Sequence, residues 1–119
     1  MNQAFELERV ERPDGIILLR VRGRLDAVSA PRFMEECNSI QSTGKHLVIN
    51  LSHVPFIASA GVGAIMAVAD SYHEAGVSSV RLASLSKAVS MVVDLLSLHE
   101  FLQVDASEDE SCTSLKKAA

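Results

Sequence analysis

The sequence predicts a single α/β domain built around a mainly parallel β-sheet. Short apolar runs alternate along the chain with segments of helical periodicity, which is the pattern of layered α/β folds. A Pro-Asp-Gly turn at residues 13–15 separates the first two runs. With 119 residues, 48% of them hydrophobic, the chain has the size and the apolar content of one domain with a full core.

The amino-terminal part predicts an antiparallel hairpin. Residues 5–8 alternate apolar and charged side chains, as a half-buried strand does, and an apolar run at residues 16–19 passes into a second alternation. Pro13 fixes φ and Gly15 tolerates a positive φ, so the residues between the strands suit a tight turn. We therefore expect two antiparallel strands.

The first helix is expected to follow Ser29, a residue type that caps helices, with Pro31 in its first turn. Gly44 is expected to end it. Its apolar stripe consists of Phe33, Met34, Cys37 and Ile40. Cys37 is interpreted as a small apolar core residue on this stripe and not as a reactive thiol.

The later elements predict a mixed, mostly parallel sheet of four to five strands with helices packed against it. Apolar strands are expected at residues 47–49 and 80–83, and a last strand or extended edge at 101–104. Helices are expected at about 60–74 and after Ser86, where the helix carries Val89, Val92, Val93 and Leu96. Because helical crossovers of this length return the chain in the same direction, the strands that they join must be parallel. Residues 1–105 form the predicted domain, and residues 106–119 form a tail that can adopt a short, fraying helix.

Composition and spacing argue against several function classes. A net charge of −4 without a Lys/Arg cluster does not suit nucleic-acid binding. No apolar run approaches the ~20 residues of a membrane span. Two cysteines suit a reducing, cytoplasmic compartment, and the scattered histidines show no metal-ligand spacing. We expect no cofactor and no enzymatic activity, since the serine at position 59 lacks the Gly-x-Ser-x-Gly context of a hydrolase nucleophile.

Residues 53–69 form the segment with the clearest functional character. They are apolar and mostly small after Pro55, with one hydroxyl, that of Ser59, at the junction between loop and helix. In the simpler interpretation Ser59 is only the helix N-cap. In the second interpretation the small neighbours leave Ser59 open to a kinase, and a phosphate there would place roughly −1.5 to −2 charges on an apolar docking surface. Such a charge would oppose the docking of a partner without a large conformational change.

Two blocks resemble the STAS domain, in particular the stand-alone bacterial anti-sigma factor antagonists. The first block is residues 23–27, Gly-Arg-Leu-Asp-Ala, which resembles the Gly-x-Leu-Asp stretch after the second strand in that family. The second block runs from Asn50 to Gly63 and resembles its strand-loop-helix block with the phosphorylatable serine. The resemblance covers about residues 5–105, with all elements in the same order, and it implies a single STAS-like domain.

The resemblance implies regulation by partner switching. The unphosphorylated protein would bind an anti-sigma factor that is also a serine kinase, phosphorylation of Ser59 would release it, and a serine phosphatase would restore it. Asp26 would lie near the docking surface. The residues implied in partner binding are Asp26, Pro55, Phe56, Ile57, Ala58, Ser59, Ala60, Gly61 and Val62.

The chain departs from the family pattern beside the phosphorylation site. Ala58 and Ala60 flank Ser59 where the family commonly has Asp-Ser-Ser/Thr-Gly, and Asn50 stands where it often has Asp. An alternative therefore remains open, a constitutive STAS scaffold or a regulatory subunit of a lipid-trafficking ABC transporter. Asp26 also has a simpler interpretation, as a turn carboxylate that accepts hydrogen bonds from backbone amides. We expect a monomer or a weak homodimer.

Overall fold

A computed structural model describes residues 4–118, and within that range it has five strands and four helices in the predicted order. The ends of the predicted ranges, residues 1–3 and 119, lie outside the described residues. The strands are β1 (Glu6–Glu11), β2 (Ile16–Arg22), β3 (His46–His53), β4 (Val80–Ala83) and β5 (Val104–Asp105). The helices are α1 (Ala30–Gln41), α2 (Ser59–Ala75), α3 (Lys87–Leu95) and α4 (Glu108–Ala118).

The five strands form one mixed sheet in the order β1-β2-β3-β4-β5. β1 pairs antiparallel with β2, which confirms the predicted hairpin, and Gly15 adopts the positive φ of +80° in its turn. The remaining pairs are parallel, as predicted. The last strand is shorter and later than expected, because a 3-10 turn at Leu98–Glu100 carries the chain past Phe101 before β5 begins.

The sheet positions α1, α2 and α3 on one face. Successive right-handed crossovers that move in the same direction across a sheet leave their helices on the same side. The predicted stripe of α1 is buried at Phe33, Cys37 and Ile40. Cys37 is fully enclosed, and this burial raises the pKa of its thiol to about 12, so the interpretation as a core residue is confirmed.

Helix α3 begins as predicted. The hydroxyl of Ser86 accepts a hydrogen bond from the amide of Val89 at 3.2 Å, which is the expected N-cap. Val89 and Val93 are buried, but Leu96 lies beyond the end of the helix and is 53% exposed. The expected placement of Leu96 on this helix is therefore wrong, because the helix ends one residue before it.

Helix α4 covers part of the opposite face of the sheet. Cys112 and Leu115 are buried there against Ile16, Leu18 and Val48. The hydroxyl of Ser107 accepts a hydrogen bond from the amide of Glu110 at 3.1 Å and so caps the start of this helix. A domain boundary at residue 105 stays a prediction, but the helix of the predicted tail packs against the sheet and closes a second apolar cluster.

Charged hydrogen bonds hold the start of α4 to the strands. Glu108 accepts from Arg20 Nε at 2.9 Å and from Asn50 Nδ2 at 2.7 Å. The hydrogen bond from Arg20 is the main reason that the pKa of Glu108 is lowered. Asn50 therefore faces α4, and its amide provides a donor to Glu108 where an aspartate would add a second carboxylate.

A second group of hydrogen bonds joins β5 to β4 and α4. Asp105 accepts from Arg81 Nε at 2.7 Å and from the Ser111 hydroxyl at 2.6 Å.

Within residues 4–118, no helix is both long enough and apolar enough to span a membrane.

Replacing Asn50 tests this anchor. Asn50→Asp removes the donor to Glu108 and places two carboxylates side by side, so we expect a loss of about 1–3 kcal/mol in the free energy of unfolding at neutral pH. Like charge raises the pKa of a carboxyl group, so the deficit should shrink as the pH falls toward 5 and one carboxyl group of the pair binds a proton.

Asn50→Ala is the matched control for that experiment, because it removes the hydrogen bonds without adding charge. Its loss of unfolding free energy should stay constant from neutral pH to about 5. The pKa of Glu108 is lowered in the folded protein, so this carboxyl group stays ionised at every pH above ~4.3, the ordinary pKa of a glutamate. Urea unfolding measured across this pH range checks both variants, and equal pH profiles would contradict the role of Glu108.

Candidate functional site

Backbone pairing beyond the sheet brings the two sequence blocks together. Leu25 and Ile57 form an isolated parallel bridge, after β2 and β3 respectively. Leu25 N donates to Phe56 O at 3.0 Å, and Ala58 N donates to Leu25 O at 2.9 Å. The loops that carry Asp26 and Ser59 therefore continue the β2–β3 pairing, and both lie at the carboxyl-terminal ends of these parallel strands.

Asp26 holds the turn that leads into α1. Its Oδ1 atom accepts from the amides of Val28 at 3.0 Å and Ser29 at 3.2 Å. The hydrogen bond from the Ser29 amide is the main reason that the pKa of this carboxyl is lowered, and Arg24 contributes with its Nε atom 3.6 Å from Oδ2. The simpler interpretation of Asp26, a carboxylate that accepts hydrogen bonds from backbone amides, thus describes its contacts within the fold.

Ser29 occupies the N-cap position of α1, as predicted, but its side chain does not act as the cap. Its hydroxyl makes no capping hydrogen bond to α1. It instead donates to Arg24 O at 2.7 Å and accepts from the amide of Asp26 at 3.0 Å. Because these contacts bridge back to the preceding loop, Ser29 closes the turn while Asp26 takes the amides that lead into the helix.

Ser59 is the first residue of α2 and not its cap. The N-cap position belongs to Ala58, which has extended geometry with φ −97° and ψ 171°. Ala58 O accepts from the amides of Gly61 at 2.9 Å and Val62 at 3.1 Å, so the backbone forms the first turn without a side-chain cap. The expected capping by Ser59 is therefore wrong, because the extended residue that precedes a helix lies one position earlier.

The amino end of α2 carries no compensating negative group. Its first turn contains no acidic residue, and Ala58 provides no side-chain acceptor. The first amides of a helix have no intrahelical acceptor, and the helix dipole makes this end positive. Within residues 4–118 the hydroxyl of Ser59 makes no hydrogen bond, and its side chain is exposed. The site therefore has an accessible hydroxyl beside the amides of Ser59 and Ala60, which, unlike those of Gly61 and Val62, have no backbone acceptor within the described residues.

The other predicted docking residues are divided between surface and interior. Pro55, Phe56 and Ala60 are exposed, and Ile57, Ala58 and Val62 are half-buried. The guanidinium of Arg24 lies 4.2 Å from the centre of the Phe56 ring, a cation–π contact at the edge of the site. Asp26 itself is half-buried. The exposed part of the site is thus mainly apolar, with Asp26 and Arg24 at one edge.

Gly61 has a packing role inside the site. It is buried, and a Cβ atom added there would lie 2.5 Å from Leu25 O and 2.9 Å from Ile57 Cγ1. Glycine at this position therefore allows α2 to approach the Leu25–Ile57 bridge closely. Gly61 is therefore not part of the exposed surface predicted to bind a partner, and it positions the neighbours of Ser59.

Gly63 is exposed on the same helix, and sequence reasoning did not select it. A Cβ atom added there would meet nothing within 4 Å, and its φ is not in the left-handed region. A glycine inside a helix costs about 1 kcal/mol relative to alanine. Packing therefore does not require glycine here, and Gly63 leaves the surface one turn after Ser59 without a side chain. The sequence signal that could have identified Gly63 is a second glycine, two positions after Gly61, within an apolar helical segment.

Metal or nucleophilic chemistry is not evident in the described part of the chain. Within residues 4–118, no three His, Cys, Asp or Glu residues cluster as metal ligands. Both thiols are buried, and burial raises the pKa of Cys37 and of Cys112. The site itself consists of a mainly apolar exposed surface, the accessible hydroxyl of Ser59, and a charged edge at Arg24 and Asp26.

The chain belongs to the STAS domain family, whose family model matches residues 9–111. The fold is similar to that of an anti-sigma factor antagonist from Mycobacterium paratuberculosis, with a TM-score of 0.85 and 20% identity over 98% of this chain and 99% of that chain. It is also similar to the anti-sigma factor antagonist SpoIIAA in its unphosphorylated form, with a TM-score of 0.73 and 22% identity over 96% and 97% of the two chains.

A third similar structure is a sulfate transporter family protein from Wolinella succinogenes, with a TM-score of 0.75 and 20% identity over 90% of this chain and 89% of that chain. At these identities the likeness shows a common fold. The fold thus occurs both in anti-sigma factor antagonists and in a transporter family, and the choice between the two functions depends on the residues of the site.

The two glycines of α2 provide a matched stability test. Gly61→Ala should lower the free energy of unfolding by about 1–3 kcal/mol, because the new methyl group overlaps a backbone carbonyl. Gly63→Ala should raise it by up to about 1 kcal/mol, since the added methyl group meets no atom and alanine favours the helix. Urea unfolding of both variants measures the difference, and equal effects would contradict the close approach of α2 to Leu25.

Proposed function

We propose that this protein is an anti-sigma factor antagonist that works by partner switching. Unphosphorylated, it binds an anti-sigma factor that is also a serine kinase, and phosphorylation of Ser59 releases that partner. A serine phosphatase then restores the binding form. This exchange would take place in the cytoplasm, where sigma factors act. The observation that carries the proposal is the position of Ser59, exposed at the uncapped start of α2 within a mainly apolar surface.

The helix end can accommodate a phosphate without unfolding. A phosphate on Ser59 would carry roughly −1.5 to −2 charges next to the positive end of α2. With Ala58 at the N-cap and no acidic residue in the first turn, no side-chain carboxylate of α2 competes for the first amides of the helix. The substitution of alanine for the usual acidic residue therefore suits phosphorylation electrostatically, although it removes an acidic group that a kinase could recognise.

The same charge explains the release of the partner. Ser59 lies among small or apolar exposed residues, with Ala60 and Gly63 beside it on α2 and Phe56 in the preceding loop. A partner that covers this surface would have to desolvate the phosphate against apolar groups, which is strongly unfavourable. Asp26 already places a negative charge at the edge of the surface. Phosphorylation would thus weaken docking through local charge, with the fold unchanged.

A constitutive scaffold, or a regulatory subunit of a transporter, is the second candidate. It is supported by the likeness to a sulfate transporter family protein and by the absence of the acidic residue before Ser59. In that case the apolar surface would bind one partner permanently. The two candidates differ in a single measurable property, which is the phosphorylation of Ser59.

Phosphorylation tests the switch directly. A pull-down of the unmodified protein from its own cytosol should recover a serine kinase of the anti-sigma type, and that kinase with ATP should add one phosphate, located on Ser59 by mass spectrometry. Ser59→Ala should abolish phosphorylation and bind the kinase permanently, with little loss of stability, because Ser59 provides no cap. Ser59→Asp should bind more weakly than the unmodified protein.

Ser52→Ala is the matched control for the phosphorylation experiment. Ser52 is an exposed hydroxyl on β3, and its loss should leave the phosphate on Ser59. A phosphate on Ser52, or no phosphate with a kinase that is active on another substrate, would refute the switch and support the constitutive scaffold.

Asp26→Asn separates the charge of Asp26 from its capping role. Asparagine keeps the oxygen that accepts from the Val28 and Ser29 amides, so thermal stability should change little. If the carboxylate contacts the partner, affinity should fall by about tenfold. Asp26→Ala should lose both affinity and stability, because it removes the acceptor as well. Titration calorimetry and thermal unfolding measure the two properties, and unchanged affinity of Asp26→Asn would remove the Asp26 charge from the docking site.

A further inference from the structure

The outward face of α3 carries large apolar side chains that the fold does not cover. Met91 is 62% exposed and Leu95 is 82% exposed. Their i, i+4 spacing makes them neighbours on the helix surface, on the side away from the buried Val89 and Val93. Leu96, directly after the helix, is also 53% exposed. Contiguous exposed apolar side chains of this kind indicate a contact surface.

Two opposite charges lie on the same face of α3. Lys87, Met91, Asp94 and Leu95 follow the i, i+4, i+7, i+8 spacing of one helix face. Lys87 is exposed, and within residues 4–118 it has no ion-pair partner. Asp94 is also exposed, with its Oδ1 atom 3.0 Å from His99 Nε2. The face therefore has a basic amino end, an apolar centre and an acidic carboxyl end.

We propose that this face of α3 binds the same face of a second copy of the chain. In an antiparallel arrangement about a twofold axis, Lys87 of each copy lies opposite Asp94 of the other. Met91 then packs against Met91, and the aliphatic stem of Lys87 covers Leu95. A parallel arrangement would instead place like charges together. Charge complementarity thus selects both the occupant and its orientation.

The expected dimer is weak. α3 has nine residues, so it is about 13 Å long. A contact of this size buries less than the ~1,200 Å² of a standard interface, and such contacts are transient. Self-association through α3 does not depend on Ser59 or on a kinase, so purified protein alone can test it.

Sedimentation equilibrium over a range of protein concentrations measures the self-association. The unmodified protein should shift from monomer toward dimer as its concentration rises. Met91→Glu should weaken association by about tenfold or more, since it places charge at the centre of the contact. Val77→Glu is the matched control. Val77 is a 72% exposed apolar residue between α2 and β4, and its substitution should leave association unchanged. Circular dichroism should show both variants folded.

A charge exchange tests the orientation of the pair. Lys87→Glu and Asp94→Lys should each weaken association, and the double variant should restore it to within about threefold of the unmodified protein. A protein that stays monomeric at every concentration would overturn the proposal, as would unchanged association of Met91→Glu. Met91→Glu could instead lose binding of the anti-sigma partner while its self-association is unchanged. That result would assign the face to the partner and would also overturn the proposal.

Discussion

The bridge between Leu25 and Ile57 is the contact on which the candidate site depends. It extends the pairing of β2 and β3 beyond the sheet and ties two loops that are distant in sequence. The buried side chain of Leu25 anchors the bridge in the core, and Gly61 allows α2 to lie directly against its carbonyl. Any side chain at position 61 would push α2 away from the Asp26 loop. The relative position of Asp26 and Ser59 is therefore set by backbone contacts and not by the surface residues themselves.

Two residues near the start of α2 lower the stability of the helix and leave its surface open. Ala58 leaves the first amides without a side-chain cap, and an N-cap of Asp or Ser would stabilise the helix by ~1 kcal/mol. Gly63 adds a helix-destabilising residue where alanine would fit without a clash. Two local losses in adjacent turns, each without a packing reason, are expected where a surface serves binding. The core beneath them is fully packed at Leu25, Ala64 and Ile65, so the fold tolerates both.

The opposite face of the sheet shows how a departure from the family pattern can serve the fold. Asn50 stands where an aspartate is common, and its amide donates to Glu108 at the start of α4. An aspartate would face that carboxylate directly, so asparagine and α4 docking belong together. Because Asn50 points toward α4, this departure concerns the second apolar cluster around Cys112 and Leu115. The changes beside Ser59, in contrast, lie on the surface that we propose binds the partner.

The sequence by itself determined the α/β class, the hairpin, the order of the elements, the buried stripe of α1 and the Ser86 cap of α3, because these depend on periodicity and on contacts within a few residues. It also identified the two loops of the site through their resemblance to STAS domains. Only the tertiary structure decided that Ala58 and not Ser59 precedes α2, and that Ser29 bridges to Arg24. It also decided that Gly61 is enclosed while Gly63 is open. The local sequence does not distinguish Ala58 from Ser59 as the residue before the helix, or Gly61 from Gly63 as the enclosed glycine. The first choice depends on the backbone conformation of the loop that leads into α2, and the second depends on the carbonyl of Leu25, which is distant in sequence.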